Sequence, residues 1–351
     1  MKGSLERVRA VVRGDMPDRA PLYDLLRNDS VIEHFTGEKL VFENAERVVF
    51  RAFEPALDAT RPMVRLPRRE ETKTLPDGRQ ERVFRWTVWT SHKEFADSDA
   101  YAAAKRAELA KEDGAWTKEH QAQMDQYMVS IAEHRRKLGE VFFFPGGVGI
   151  GLMAIYGEVG LEQFSYYLAD YPDIIEELLE RNTLRAIRWI EHLPAHHGIE
   201  AIFAGDDIAF KTGPLLSPAW FQKHYFHRMA RIMDAFHKRG IQVLFHSDGN
   251  LNSILDGLVE AGIDGLNPIE VLAEMDVGDI HHRFPKLFMA GGIDVSQLLP
   301  HGTPQQVKDA VHRAIDDAEG RIMIGSSTEL HDAVPLENFL AMREAVFEHR
   351  Y

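Results

Sequence analysis

The segment FHSDGN, Phe245 to Asn250, sets His246 and Asp248 two residues apart at the end of the apolar run IQVLF. Residues two apart on a strand point to the same face. An imidazole and a carboxylate at this spacing can therefore share a metal, a proton or a substrate. The plain alternative is a histidine hydrogen-bonded within a polar turn. The chain repeats the pattern, however, each apolar run ending in a polar tip. Asp24 and Arg27 follow one run and Gly146 with Gly147 another; Asp206 and Asp207, Asn267 and Glu270, Asp294, and Glu329 with His331 end the others. A turn explains any one of these positions but not why so many bear ionisable groups.

Two chemistries suit such an acidic set with two histidines. His246, with Asp207, Asp248 or Glu329, offers the nitrogen and oxygen ligands that zinc accepts. Without thiolates the site is a harder one, which keeps iron and manganese in play. A metal with one open position would act as a Lewis acid. The second chemistry needs no metal: clustered carboxylates and a histidine titrate apart to give a proton donor and an acceptor. Spacing does not separate the two, because the groups come from different strands.

The elements that must position these residues are short apolar runs closed by polar residues, the mark of buried parallel strands. Six such runs are residues 141–149, 199–207, 241–249, 262–270, 286–294 and 321–329, with two weaker candidates in 19–26 and 48–66. Between them lie stretches of helical period, including those beginning at Pro172, Pro218, Leu251 and Thr303. Ser217 and Thr303 are N-cap candidates, each followed by proline, and Gly240 is a helix stop. Eight strands alternating with helices predict a single-domain α/β protein, a (β/α)₈ TIM barrel. Its site would lie at the C-terminal ends of the strands. Residues 68–140 read as an insertion near the rim. It comprises a hairpin over 68–92 turning at Pro76-Asp77-Gly78, then an Ala/Lys/Glu/Gln-rich helical stretch over 96–140 with a solvated face.

Composition narrows the function classes. The 351-residue chain is 44% hydrophobic, enough for a sizeable core, and has no cysteine, which excludes disulfides and thiolate ligands. A net charge of −14 disfavours nucleic acid, which needs a basic face. No apolar run is long enough to span a membrane, and the charged N-terminus lacks a signal peptide's apolar centre. Cytoplasmic residence is the expectation. The glycines of FFPGGVGIG lack both the Walker lysine and dinucleotide spacing. The adjacent His281 and His282 would face different ways, and His196 with His197 reads as a helix end. Trp86 and Trp89 read as packing for the hairpin.

The chain resembles the uroporphyrinogen decarboxylase superfamily, specifically its methyltransferase-like branch. The resemblance rests on RAVVRGDMPDRAPLY, the long central stretch from GDDIAF to FHSDGN, GLNPIEV, GGIDVSQLLPHGTPQQV and STELHDAVPLENFLAM, in that order. It implies a (β/α)₈ barrel over nearly the whole chain and a homodimer. True decarboxylases of the family hold their polyanionic substrate with an arginine-rich segment after the first strand. Here that segment reads LLRNDSVIEHF and retains Arg27 alone. The corrinoid-linked methyltransferases hold zinc through a His-x-Cys pair and a later cysteine. His246 matches the histidine, while Asp248 and Thr328 or a neighbour stand at the cysteine positions.

The resemblance therefore implies a demethylating transferase. It would pass a methyl group from a small methylated substrate to cobalamin on a separate corrinoid protein, aided by a divalent metal, zinc first. His246, Asp248 and Glu329 are the expected ligands, and His246, Asp207, His331 and Arg27 the catalytic candidates. Asp24, Asp206, Asn267, Glu270 and Asp294 are the substrate-binding candidates. A lyase or decarboxylase using acid–base chemistry, and a barrel without catalysis, stand as the alternatives.

Overall fold

The computed structural model describes residues 3–111 and 114–349. The six apolar runs form the strands Phe142–Phe143, Ala201–Gly205, Gln242–His246, Gly265–Asn267, Phe288–Ile293 and Ile322–Ser326. The weaker candidates supply Ala59–Thr60 and a bridge segment at Leu22 and Tyr23. Their pairings close a ring in chain order. Tyr23 bridges Ala59, and Ala59–Thr60 pairs in parallel with Phe142–Phe143. Gly146 then bridges Phe203. The next strands pair side by side from Ala201–Gly205 to Ile322–Ser326, and Ile324 returns to Leu22. The fold is the eight-stranded (β/α)₈ barrel the alternation predicts.

Alternation along each strand divides two cores. Tyr23, Ala59, Phe142, Phe144, Ala201, Phe203, Leu244, Phe288, Ala290 and Met323 fill the lumen. Their neighbours Ile202, Val243, Phe245, Met289, Ile322 and Ile324 face the surrounding helices. Val8, Val11 and Val12 of the helix Ser4–Arg13 join the lumen cluster and close the end opposite the strand tips. Arg7 and Arg19 sandwich the buried Asp58 beneath that plug. The parity has a consequence at the open end. His246 follows Leu244, Asn267 follows Gly265 and Arg61 follows Ala59, so all three side chains turn into the lumen.

Helix signals act where expected. Ser217 accepts from Trp220 N, and Thr303 forms a reciprocal capping box with Gln306. Gly240 has φ +71°, the left-handed conformation a helix stop requires. Three local expectations need correction. The stretch from Pro218 is two helices, Pro218–His224 and Phe226–Lys238, broken at Tyr225. His196 and His197 end no helix: the helix Pro172–Glu191 stops before them, and they lie in the loop to the next strand. The hairpin is a three-stranded antiparallel sheet of Glu71–Thr74, Gln80–Val83 and Val88–Thr90, because Phe84 N bonds Thr87 O and turns the chain a second time.

The helical stretch 96–140 divides into Ser98–Leu109 and Lys118–Leu138; its residues 112–113 lie outside the described ones. The longer helix buries Met124, Ile131 and Leu138, seven residues apart, a narrow stripe that leaves most of the helix solvated. No described helix is long and apolar enough to cross a membrane.

Candidate functional site

His246 closes the fifth strand, and its two ring nitrogens have different fates. Nδ1 lies 2.9 Å from Asn267 Oδ1, while Asn267 Nδ2 donates to Ala290 O at 3.0 Å. The carbonyl of Ala290 accepts only, so the Asn267 amide group faces it and Oδ1 faces the imidazole. Nδ1 must then carry the ring proton. Nε2 is left with its lone pair, 3.5 Å from Asp207 Oδ1 and 4.0 Å from Asp248 Oδ1. Burial, then the positive charge of Arg61, holds the His246 pKa well below its usual value. The imidazole is neutral and fixed in one tautomer, as a metal ligand must be.

Asp207, His246 and Asp248 each bring one donor atom, and the three atoms lie within 4.8 Å of one another. Backbone contacts build this cluster. Asp248 N donates to Asp207 Oδ1, Gly249 N donates to Glu270 Oε2 at 2.8 Å, and Tyr156 Oη donates to Asp207 O at 2.7 Å. Asp248 Oδ1 is buried with no hydrogen-bond partner. Burial, then the charges of Asp207 and Glu270, lifts the Asp248 pKa to about 7. A buried carboxylate oxygen without a partner, 4.0 Å from an imidazole lone pair, has the chemistry to share a cation with it. One nitrogen and two carboxylates suit zinc, iron(II) or manganese(II) and do not reproduce a thiolate site.

The remaining predicted residues separate into three groups. Glu329 does not join the donor cluster. It is paired with Arg27, whose guanidinium is itself buried, although it lies near enough to raise the Asp248 pKa. The ring of His331 is spanned by backbone, with Nδ1 accepting from Ala333 N and Nε2 reaching Val295 O at 3.3 Å. Asn267 and Glu270 stand beside the cluster as supports of His246 and of the Asp248 loop.

Asp24, Asp206 and Asp294 carry structural loads in place of the substrate contacts expected of them. Asp24 accepts from the amides of Leu25, Ser326 and Leu330 and from Ser326 Oγ, which fastens the first segment to the eighth strand. Asp206 accepts from the amides of Gly151, Leu152 and Met153 and from Tyr225 Oη, anchoring the start of the helix Leu152–Val159. Complete burial outweighs those bonds and raises both pKa values to about 6. Asp294 accepts from the amides of Ser296, Gln297 and Leu298. These three carboxylates are used up by backbone donors.

Arg61 escaped the reading of the sequence. It is only 3% exposed, its Nη2 group bonds Thr328 O, and its Cζ lies 5.0 Å from the Phe203 ring centre. The His246 ring is also 5.0 Å from that centre. The signal was available in principle, since Arg61 lies two residues beyond Ala59 on one face. A two-residue strand is too short to announce its parity. A separate cavity of about 390 Å³, lined in part by Trp116, Asn182 and Trp189, contains none of the cluster residues.

Comparison with known proteins agrees with this architecture. Residues 119–349 match the family model described as uroporphyrinogen decarboxylase (URO-D). A methylcobamide:CoM methyltransferase, MtbA, of Methanosarcina mazei is 23% identical over 137 residues. That stretch is 39% of this chain and spans only 39% of that protein's length. A solved structure, a methyltransferase from Methanosarcina mazei, superposes with a TM-score of 0.70 at 17% identity, covering 99% of each chain. With a family match over more than half its length and a fold that superposes on a methyltransferase over nearly the whole chain, this chain belongs to the uroporphyrinogen decarboxylase family, among relatives that are methyltransferases.

Proposed function

We propose that this protein is a demethylating methyltransferase of the cytoplasm, which passes the methyl group of a small methylated substrate to cobalamin held by a separate corrinoid protein. The observation that supports it most is the donor cluster itself: His246 Nε2 with its lone pair free, beside the orphaned Asp248 Oδ1 and Asp207. Asp207, His246 and Asp248 would hold a divalent metal, zinc first. Such an ion supplies Lewis acidity at the heteroatom bearing the methyl group. The protein's own part is to orient: Asn267 sets the His246 tautomer, Glu270 holds the Asp248 loop, and Tyr156 fixes the turn at Asp207. The methylcobamide:CoM methyltransferase of Methanosarcina mazei supports the class of reaction.

The test pairs elemental analysis with a methyl-transfer assay. The native protein should contain about one equivalent of zinc, iron or manganese, lost in His246→Ala with circular dichroism unchanged. With a methylated substrate, the loaded protein should convert cob(I)alamin to methylcobalamin. A metal-free protein that cannot be reconstituted, or an intact fold with full transfer activity in His246→Ala, overturns the reading. A second reading, a lyase working by acid–base chemistry, is favoured by one observation. Asp248, with its pKa near 7 beside a neutral imidazole, is a ready donor–acceptor pair. Turnover of a carboxylic acid without metal or cobalamin would establish it.

A further inference from the structure

Near the acidic cluster, the barrel mouth holds cationic groups whose bonding is incomplete. Arg61 and Arg27 are 3% and 4% exposed, and the Nε atoms of both are buried without a hydrogen-bond partner. Arg27 has Glu329 as an ion-pair partner. Arg61 has no carboxylate within ion-pair range among the described residues. Tyr23 Oη, fully buried in the lumen, is unpartnered as well, and the Arg61 charge is felt by Tyr23, Asp24, His246 and Asp248. A buried guanidinium bonded to one carbonyl oxygen is costly to keep, and a planar carboxylate is the group that its fork of donors matches.

We propose that Arg61 is the anchor of an anion subsite, so that the substrate is a small methylated carboxylic acid whose carboxylate sits at Arg61 and whose methyl-bearing heteroatom sits at the Asp207–His246–Asp248 cluster. This rests on the methyl-transfer reading above and names the substrate class for it. Geometry limits the size. The Arg61 guanidinium and the His246 ring are each 5.0 Å from the centre of the Phe203 ring, so they lie no more than twice that distance apart. A chain of a few carbon atoms between the carboxylate and the heteroatom fits that span. Charge balance agrees, because an acid placed between Arg61 and the cluster neutralises a guanidinium that the protein itself does not pair. The acidic rim would repel a polyanion, whereas a single carboxylate can reach this one cation.

Binding, measured on protein stripped of metal with EDTA, tests the subsite without needing any activity. The probes are methoxyacetate, 3-methoxypropionate and 4-methoxybutyrate, each compared with its neutral primary amide by saturation-transfer NMR and calorimetry. At least one acid should bind about tenfold or more tightly than its amide, and Arg61→Gln should abolish that preference with the thermal transition retained. Arg61→Lys, which keeps the charge and loses the fork, should fall between and serves for the same comparison if Arg61→Gln does not fold. Acids that bind no better than their amides, a preference that survives in folded Arg61→Gln, or one that is undiminished in folded Arg61→Lys, would overturn the proposal. A failed methyl-transfer assay alongside a clear preference for the acids would remove the reaction and leave the subsite standing.

Discussion

Asn267 determines which nitrogen of His246 is available. Replacing it by leucine strips the acceptor from Nδ1 while keeping side-chain bulk beside the ring. Asn267→Leu should weaken metal binding by about 10–100-fold, measured by competition with a chromogenic chelator. An unchanged affinity would mean that the tautomer is set by something else. Protonation of Asp248 gives a second prediction at this scale. Its pKa in the metal-free protein is about 7, so a cation must displace a proton at lower pH, and affinity should fall about tenfold per unit below pH 7. The same shift fixes the sign for stability. A carboxyl raised above its ordinary value stabilises the fold at low pH and loses that contribution as pH rises through about 7. Asp248→Asn should therefore raise the melting temperature of the metal-free protein at pH 8, and raise it by less at pH 5, where only part of that contribution has been lost. His246 and Asp248 were legible in the sequence because two-residue spacing survives the bend from strand to loop. The pairing of Glu329 with Arg27 was not, since it joins the two ends of the chain across the barrel seam.

At the scale of elements, apolar runs closed by polar tips identified the strands because burial on both faces leaves a continuous hydrophobic signature. What they could not show was how the first segment meets the last. Leu22 and Tyr23 pair only through isolated bridges, and the seam is made by backbone approach and by the bonds from Asp24. Gly325 permits that approach: a Cβ atom there would lie 1.9 Å from Tyr23 O. Gly325→Ala must push the segments apart, so the urea midpoint should drop by an amount equivalent to about 2–4 kcal/mol. A loss below about 0.5 kcal/mol would show that the seam yields freely. The third strand of the insertion escaped notice for a different reason. Its turn at Phe84–Thr87 has no Gly, Asn or Pro to mark it, unlike the turn at Pro76-Asp77-Gly78.

Over the whole molecule, chemistry and stability are placed at opposite ends of one barrel. The strand tips hold cationic and acidic groups without full partners, whereas the far end is plugged by the helix Ser4–Arg13 and by a satisfied charge network. There Asp58 accepts from Arg7, Arg19, Ser4 Oγ and Leu22 N, and these partners hold its pKa below the ordinary carboxylate value despite burial. A lowered carboxylate pKa contributes stability above pH 4 that is lost as pH falls through the folded value, so acid should loosen this end first. Asp58→Ala leaves Arg19 buried without its carboxylate and should cost about 3–5 kcal/mol at pH 7, read from urea unfolding. At pH 3 the penalty relative to the unsubstituted protein should shrink, because unfolding then lets the Asp58 carboxylate take up a proton and the native protein loses part of this contribution. The site at the other end provides the control. If metal affinity in folded Asp58→Ala stays within about twofold of the native value, the plug stabilises the barrel without tuning its mouth. A large loss of affinity would instead couple the two ends through the lumen residues Ala59, Phe203 and Leu244 that lie between them.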